Sequence, residues 1–183
     1  ASPAGALRRR EFARFLGSPT YMLNCGLGSV IGVAFAGFLL IRNSWAYENL
    51  SVLSEAVGIG IPRFPPIAAA AVCMVLSTLA ITAPSVSLEG RTIWLSQSLP
   101  VTPWQVLRAK LAVHLWVGGI PALLCGVAVA AALRLPFPTA VMTVILLLLF
   151  TLLQACFGLF VNLLHPNLTW VSEMTPIKQS LGV

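Results

Sequence analysis

The chain has 183 residues, of which 58% are hydrophobic and 9% are charged, whereas soluble domains have about 45–50% and about 25%. It contains eleven Lys and Arg against five Glu and no Asp, which gives a net charge of +6. A basic excess in so apolar a chain indicates membrane topology rather than nucleic-acid binding. This composition excludes an ordinary soluble domain.

Four uncharged stretches are long enough to cross a bilayer. They cover residues 15–41, 64–88, 111–133 and 135–172, with lengths of 27, 25, 23 and 38 residues. Crossing the hydrocarbon core as a helix takes about 20 apolar residues. We therefore expect an all-α integral membrane protein with four transmembrane helices.

The N-terminal segment, 1–18, is predicted to be an amphipathic helix that lies in the membrane interface. On a helical wheel, Phe12, Phe15 and Leu16 share one face, opposite two arginines. Such a helix buries its apolar face while its arginines reach the phosphates. A basic flank without a helix is the alternative interpretation.

Prolines and capping residues indicate where the predicted spans begin and end. Ser18 before Pro19 is typical of a helix start, and His165 before Pro166 is typical of a helix end. The spans are predicted at about 19–41, 66–83, 107–133 and 139–164, within a transmembrane region of 19–164. Residues 165–183 are expected to form a cytoplasmic segment that leads to a further helix.

Lys and Arg are divided unequally between the two sides of these spans. The N-terminus, the loop 84–110 and the C-terminal tail hold eight of them, and the opposite side holds three. Positive charge favours the cytoplasmic side. The N-terminus and residues 84–110 are therefore predicted to be cytoplasmic.

The sequence offers little material for a catalytic or metal site. The five Glu are scattered, so we predict no paired carboxylates for acid–base chemistry or for a hard metal ion. The four cysteines fall one in each hydrophobic stretch and are interpreted as small buried side chains. No catalytic residue and no metal ligand is predicted, and the chain is not expected to be an enzyme.

Three polar side chains fall within the predicted spans, where burial without a partner is costly. They are His114, Gln154 and Asn162. One interpretation is that they line a substrate path, and the other is that they form interhelical hydrogen bonds.

The loop 85–104 carries the most informative pattern. Its end, Thr102-Pro103 with Gln105, is typical of a capping box that begins a helix. Before it, residues 91–98 are predicted to form a two-turn helix, bounded by Gly90 and Pro100.

Two apolar side chains, Trp94 and Leu95, are predicted to be exposed on this short helix. A helix with so few charges needs something to pack against. The alternative for Trp94 and for Trp104 is that each lies in the interfacial aromatic belt.

The motif in this loop resembles that of the membrane subunits of type 2 ATP-binding-cassette (ABC) exporters, in particular a bacterial group of exporter permeases. The family pattern is Ser-x-Glu-Gly-Lys-x-x-Trp, then Ser-Leu-Pro, then a Lys ten residues on. The matching residues are Ser87, Glu89, Gly90, Trp94, Ser98, Leu99, Pro100 and Lys110. Arg91 and Gln97 stand where the family has lysines, and the chain is expected to be about the C-terminal half of such a permease.

The resemblance implies a multi-pass permease subunit in the bacterial plasma membrane, which couples ATP hydrolysis on a separate subunit to substrate export. ATP and Mg would bind the ABC ATPase subunit, with no cofactor on this chain, which has no Gly-x4-Gly-Lys-[Ser/Thr] loop. The other implied partners are a second permease half or a second copy of the chain, and the lipid bilayer. No nucleic acid is expected.

The resemblance also implies a role for the short helix. In the family this helix is the coupling helix, which docks on the ATPase. The residues carried over are Glu89, Gly90, Arg91, Trp94, Leu95, Leu99 and Pro100. Trp94 and Leu95 would be buried anchors, Glu89 and Arg91 would be rim charges, and Pro100 would stiffen the link to the third span.

Two other classes of function stay open. A membrane scaffold without a transport role would make no use of the helix at 91–98. A membrane enzyme acting on lipid head groups usually needs clustered His, Asp or Glu side chains near the interface, and no such cluster is visible in the sequence.

Overall fold

The computed structural model describes residues 3–58 and 64–178, and within these ranges every regular element is a helix. The prediction of an all-α fold is therefore confirmed. The α-helices are α1 (Pro3–Gly17), α2 (Pro19–Ile41), α3 (Asn43–Val57), α4 (Phe64–Leu76), α5 (Ile93–Ser98), α6 (Pro103–Ala132), α7 (Phe137–Leu164) and α8 (Met174–Lys178). A short 3₁₀ helix, Ser87–Thr92, precedes α5.

Three of these helices are long and apolar enough to cross a membrane. They are α2, α6 and α7, with 23, 30 and 28 residues, and they correspond to the predicted first, third and fourth spans. The predicted start of α6 is also confirmed, because the Thr102 amide donates to Oε1 of Gln105 at 3.0 Å. This contact satisfies a backbone donor at the helix N-terminus.

The second predicted span differs from the structure. The helix expected over 66–83 begins at Phe64 and ends at Leu76, so its 13 residues cover about 20 Å, less than the hydrocarbon thickness of about 30 Å. Just after its end, the hydroxyls of Ser77 and Thr78 donate back to helix carbonyls at 2.7 and 2.8 Å. Such bonds compete with the continuation of a helix, so the prediction of helix across 77–83 is wrong.

The described chain forms two compact units, and the first comprises residues 3–27, 79–117 and 152–178. Its apolar core contains side chains from α1, α2, α6 and α8. The buried members are Phe15, Tyr21, Cys25, Leu79, Ile81, Leu88, Val113 and Ile177. Phe15 and Tyr21 pack edge to face with ring centres 5.2 Å apart, an arrangement that aromatic pairs favour.

α1 forms as a helix and buries one of its faces within the first unit. Leu7, Glu11 and Phe15 are buried, while Leu16 is 64% exposed. The buried face packs Phe15 on Tyr21 and takes a charged side chain, Glu11, into the interior. Periodicity of apolar residues alone cannot show a face that includes a buried carboxylate.

The second unit comprises residues 28–58, 64–78 and 118–151. Its core consists of small and aliphatic side chains, among them Ala69, Val72, Leu76, Ala122, Cys125, Ala128 and Leu147. Small side chains allow helices to approach closely in the absence of a hydrophobic driving force. At its polar edge, the guanidinium of Arg134 lies 4.4 Å from the ring centre of Tyr47, a cation–π contact.

Close helix packing in this unit predicts a measurable difference between two glycines of α6. A Cβ at Gly126 would lie 3.1 Å from the backbone Cα of Val144, whereas a Cβ at Gly119 would meet nothing within 4 Å. We expect Gly126→Ala to destabilise the protein by about 1–3 kcal/mol through overpacking. Gly119→Ala should be neutral or stabilise by up to about 1 kcal/mol, since alanine favours helix. Thermal unfolding of the purified protein in detergent compares the two, and equal midpoints would contradict the close approach.

Candidate functional site

The candidate site is built around residues 79–90, which we call the buried segment. Ten consecutive residues, 81–90, are buried, although none lies in an α-helix. Turn bonds within the segment satisfy some of its backbone groups, such as the Leu88 amide, which donates to the carbonyl of Pro84 at 2.9 Å. The other buried polar groups must find partners elsewhere, and side chains of the surrounding helices supply several of them.

The first half of the buried segment is held by two side chains from α2 and α7. Nε2 of Gln154 donates to the carbonyl of Leu79 at 2.5 Å. The hydroxyl of Tyr21 donates to the carbonyl of Ile81 at 2.5 Å. Both bonds satisfy backbone acceptors that a continued α4 would have satisfied internally.

Asn162 of α7 holds the second half. Its Oδ1 accepts from the amides of Val86 and Ser87 at 2.7 and 3.0 Å, and its Nδ2 donates to Oγ of Ser87 at 2.8 Å. Ser87 is also bound from the chain after α7, because the Asn167 amide donates to its Oγ and Nε1 of Trp170 donates to its carbonyl. One asparagine thus satisfies two buried amides at once.

His114 of α6 reaches the middle of the segment. Its Nδ1 lies 3.2 Å from Oγ1 of Thr82, and both side chains are fully buried. Gly158 allows α7 to approach Thr82 closely, because a Cβ at this position would lie only 2.8 Å from Oγ1 of Thr82.

The three polar residues that the sequence singled out therefore meet at one feature. Gln154, Asn162 and His114 each bind the buried segment. Their hydrogen-bond partners are backbone and hydroxyl groups of this segment, which lies between α4 and α5 and contains no α-helix. The sequence signal for this stretch was its run of turn-forming and hydroxyl residues from 82 to 87, within an otherwise apolar region.

Four charged side chains close a ring beside this segment, which we call the charge ring. Nζ of Lys110 lies 2.6 Å from Glu89 and 3.1 Å from Glu11, and the guanidinium of Arg10 lies 3.0 Å from Glu11 and 3.6 Å from Glu89. Each carboxylate thus lies between two cations, and the ring is neutral. Lys110 also donates to the carbonyl of Ser85 at 2.9 Å.

The charge ring joins three parts of the chain: α1, the buried segment and α6. Lys110 and Glu89 are only 3% and 4% exposed, so their charges have lost most of their hydration. Removing one partner of a buried ion pair leaves the other uncompensated, which costs far more than losing an exposed pair. The ring therefore fixes α1 and the segment to α6.

One prediction from the sequence is corrected here. Glu11 and Glu89, which are far apart in the chain, both lie within 3.1 Å of the Lys110 ammonium. Glu89 is buried in this ring and is not a rim charge. Within residues 3–58 and 64–178, no group of three or more His, Cys, Asp or Glu side chains is placed to hold a metal ion.

Gly90 ends the buried segment in a conformation that favours glycine. Its φ is +49°, and a Cβ there would lie within 3.1 Å of the indole of Trp170. The left-handed backbone and the close indole both exclude a larger side chain. The predicted boundary at Gly90 thus has a structural cause.

The remaining residues assigned to the short helix lie at the surface. Trp94, on α5, is 62% exposed, and Leu99 and Pro100 are also exposed. The side chains of Arg91 and Leu95 lie outside the described part of the structure. Trp94 is thus exposed about one helical turn after Gly90, where the run of buried residues 81–90 ends.

The bonds of Asn162 predict a large effect of its removal. Asn162→Ala would leave the buried amides of Val86 and Ser87 without their acceptor, so we expect a loss of about 2–4 kcal/mol. Asn24→Ala is the matched control, because Asn24 is exposed and bonds only locally to the carbonyl of Thr20; it should change stability by less than about 0.5 kcal/mol. Denaturant unfolding measures both, and similar values for the two variants would refute this role of Asn162.

A second prediction concerns the charge ring. Lys110→Met leaves two buried carboxylates without their common cation, so we expect a loss of about 3–5 kcal/mol. Adding Glu89→Gln should recover part of this loss, because it removes one of the stranded charges. Arg108→Met, two residues earlier on the exposed side of α6, should have a small effect. Additive losses in the double variant would show that the two residues do not interact.

This arrangement is suited to holding the buried segment, which leads directly into α5, to α1 and α6, with one aromatic side chain of α5 presented outward. It gathers polar side chains from three helices, α2, α6 and α7, around one stretch of backbone. Comparisons of the chain with protein-family models, curated proteins and solved structures find no match.

Proposed function

We propose that this chain is a transmembrane permease subunit of an ABC exporter. It would couple ATP hydrolysis by a separate ATPase subunit to the movement of substrate across the membrane. The observation that carries this proposal is α5, which presents an exposed Trp94 and follows directly on a segment anchored to α6 by a buried ion pair.

The surface of α5 suits a docking role. The exposed Trp94 side chain on this six-residue helix is not stabilised by its contact with water. Aromatic side chains contribute most to binding free energy when a partner buries them. Leu99, just after the helix, is also exposed and extends the apolar surface. In the proposed complex, both side chains insert into a groove of the ATPase.

The connection from α5 to α6 is short and stiff. Only residues 99–102 separate the two helices, and Pro100 and Pro103 restrict the backbone at both ends of this link. The Thr102 amide is bonded to the Gln105 side chain, which fixes the start of α6. A displacement of α5 would therefore move α6 rather than bend the link.

The charge ring gives the proposed motion a second route. Arg10 and Glu11 of α1 contact the same Glu89 and Lys110 that join the buried segment to α6. A force on α5 would thus reach α1 and α6 together. Rigid-body movement of packed elements about an interface is a common form of such transmission.

The proposal includes four membrane crossings, with the N-terminus and residues 84–110 in the cytoplasm of a bacterial cell. α1 and Glu89 are in contact, so if α2 crosses the membrane the chain must return before residue 89. α4 supplies about 20 Å of this return, and non-helical residues 77–83 supply the rest. Irregular backbone is tolerated at membrane depth where protein covers it, and residues 79 and 81–83 are buried.

In this proposal the chain itself carries no catalytic residue, and ATP and Mg bind the ATPase subunit. A second permease half or a second copy of the chain would complete the transporter. A scaffold role would leave the exposed Trp94 and the stiff link without a purpose. The geometry thus favours transport over the scaffold alternative.

Substitution of Trp94 tests the proposal in the intact permease, co-expressed with an ABC ATPase subunit from the same genome that co-purifies with the unsubstituted protein. We expect Trp94→Asp to reduce both co-purification of the ATPase and transport-coupled ATP hydrolysis by about tenfold or more, because an interface anchor contributes about 2 kcal/mol or more. Trp94→Phe should retain most of both.

Trp104→Asp is the matched control. Trp104 is 57% exposed but lies on α6, where Arg108 packs over its ring. We expect it to keep the ATPase bound to within about twofold of the unsubstituted protein. Full co-purification and full coupled hydrolysis with Trp94→Asp would show that α5 is not the coupling helix.

A further inference from the structure

An apolar groove of about 600 Å³ lies between α6 and α7 within the second unit. Its volume falls in the range of sites for small organic ligands, about 300–1,000 Å³. Alanines on both helices leave room for it, namely Ala130, Ala131 and Ala140. Because the lining residues Val127 and Phe137 are exposed, the groove is open to the surroundings of the protein.

The groove has about the length of one lipid tail. Its helical lining extends from Leu123 to Ala131 on α6 and from Phe137 to Ile145 on α7. Eight residues of rise give about 12 Å along each helix, and one leaflet of the hydrocarbon core is about 15 Å deep. Both helices are long and apolar enough to cross a membrane. A groove on two crossing helices faces the lipid tails of one leaflet.

A cation lies at one end of this groove. Arg134 lies in the turn between the two helices, and the next residue, Leu135, lines the groove. The side chain of Arg134 is exposed, and its guanidinium lies over the ring of Tyr47. Within residues 3–58 and 64–178, this side chain forms no hydrogen bond and no ion pair with a carboxylate. Its charge is therefore available to an anion from outside the chain.

The backbone at Arg134 has a conformation that favours glycine. Its φ is +50°, which lies in the left-handed region. The Leu135 amide donates to the carbonyl of Ala130 at 2.9 Å, and the Arg134 amide donates to the carbonyl of Ala131 at 3.2 Å. These two bonds form a Schellman motif, in which glycine is the usual residue at the position of Arg134. Strained residues of this kind are concentrated at ligand sites, so the presence of arginine here points to its side chain.

From this geometry we infer that the groove binds an anionic phospholipid. One acyl chain lies between α6 and α7, and the phosphate accepts hydrogen bonds from Arg134, whose guanidinium matches phosphate geometry. A zwitterionic head group carries its own cation beside the phosphate, whereas an anionic head group gains its counter-charge from Arg134. The inference does not depend on the proposed function, because lipid binding needs neither ATP nor an ATPase subunit.

Photocrosslinking measures which lipid occupies the groove. The purified protein is placed in nanodiscs of mixed phosphatidylcholine and phosphatidylglycerol, in which a small fraction of one of the two lipids carries a diazirine on an acyl chain. Mass spectrometry then maps the labelled residues. We expect phosphatidylglycerol to label the groove residues between 123 and 145 about fivefold more than phosphatidylcholine does, because one arginine near a membrane surface favours anionic lipid by about this factor.

The exposed face of α2 serves as the reference within the same sample. It includes Leu27 and Val30, and we expect the two lipids to label it equally. A groove that shows no more preference for phosphatidylglycerol than this face would overturn the inference.

Arg134→Gln tests the contact with the phosphate. It should reduce the preference of the groove for phosphatidylglycerol to about onefold to twofold, whereas Arg134→Lys keeps the charge and should keep most of the preference. Arg42→Gln is the matched control, because Arg42 is also exposed, belongs to the second unit and directly follows α2. A preference retained in Arg134→Gln, or lost equally in Arg42→Gln, would refute Arg134 as the phosphate contact.

Ala131→Phe fills part of the groove without changing a charge. Ala131 is exposed, and we expect the substitution to lower labelling of the other groove residues to the level of the α2 face. Ala34→Phe, at an exposed position of α2, should leave labelling of the groove unchanged. If a second copy of the chain occupies the groove, lipid will not label it and chemical crosslinking will give a dimer that Ala131→Phe abolishes. That result would overturn the inference.

Discussion

The need to satisfy buried backbone governs the first unit of this protein. α4 ends at Leu76, yet residues 81–90 remain buried. Their amides and carbonyls therefore cannot form hydrogen bonds with water. Each unsatisfied group would cost about 1–3 kcal/mol. Tyr21, Gln154 and Asn162 supply the missing partners from two different helices, and the positions of these helices follow from that requirement.

The charge ring adds selectivity to this arrangement rather than net stability. A buried ion pair recovers in attraction roughly what its two charges lose in hydration, and a ring with two charges of each sign recovers more than a single pair. A packing of α1 without these contacts would leave a buried Glu11 without its cations, and a path of the segment without them would do the same to Glu89. The ring therefore favours one arrangement of α1, α6 and the segment over its competitors.

The sequence predicted those parts of the fold that are fixed by local signals. Pro19 and the capping box at Thr102 placed the starts of two long helices, because their bonds lie within a few residues. The end of α4 was missed, because residues 64–88 carry no charge and hydropathy cannot distinguish a helix from a covered turn. The charge ring was missed for a different reason: Glu11 and Lys110 are 99 residues apart, and only the folded chain brings them together.

The order of synthesis gives the hydrogen bonds of Asn162 a consequence for biogenesis. The buried segment is made 75 residues before this asparagine and 83 residues before Trp170. At about 5–20 residues per second, the ribosome leaves that stretch waiting roughly 4–15 s for its acceptor. During this interval the amides of Val86 and Ser87 lack the side-chain acceptor that they have in the folded protein. The first unit therefore cannot reach its final packing before α7 is synthesised.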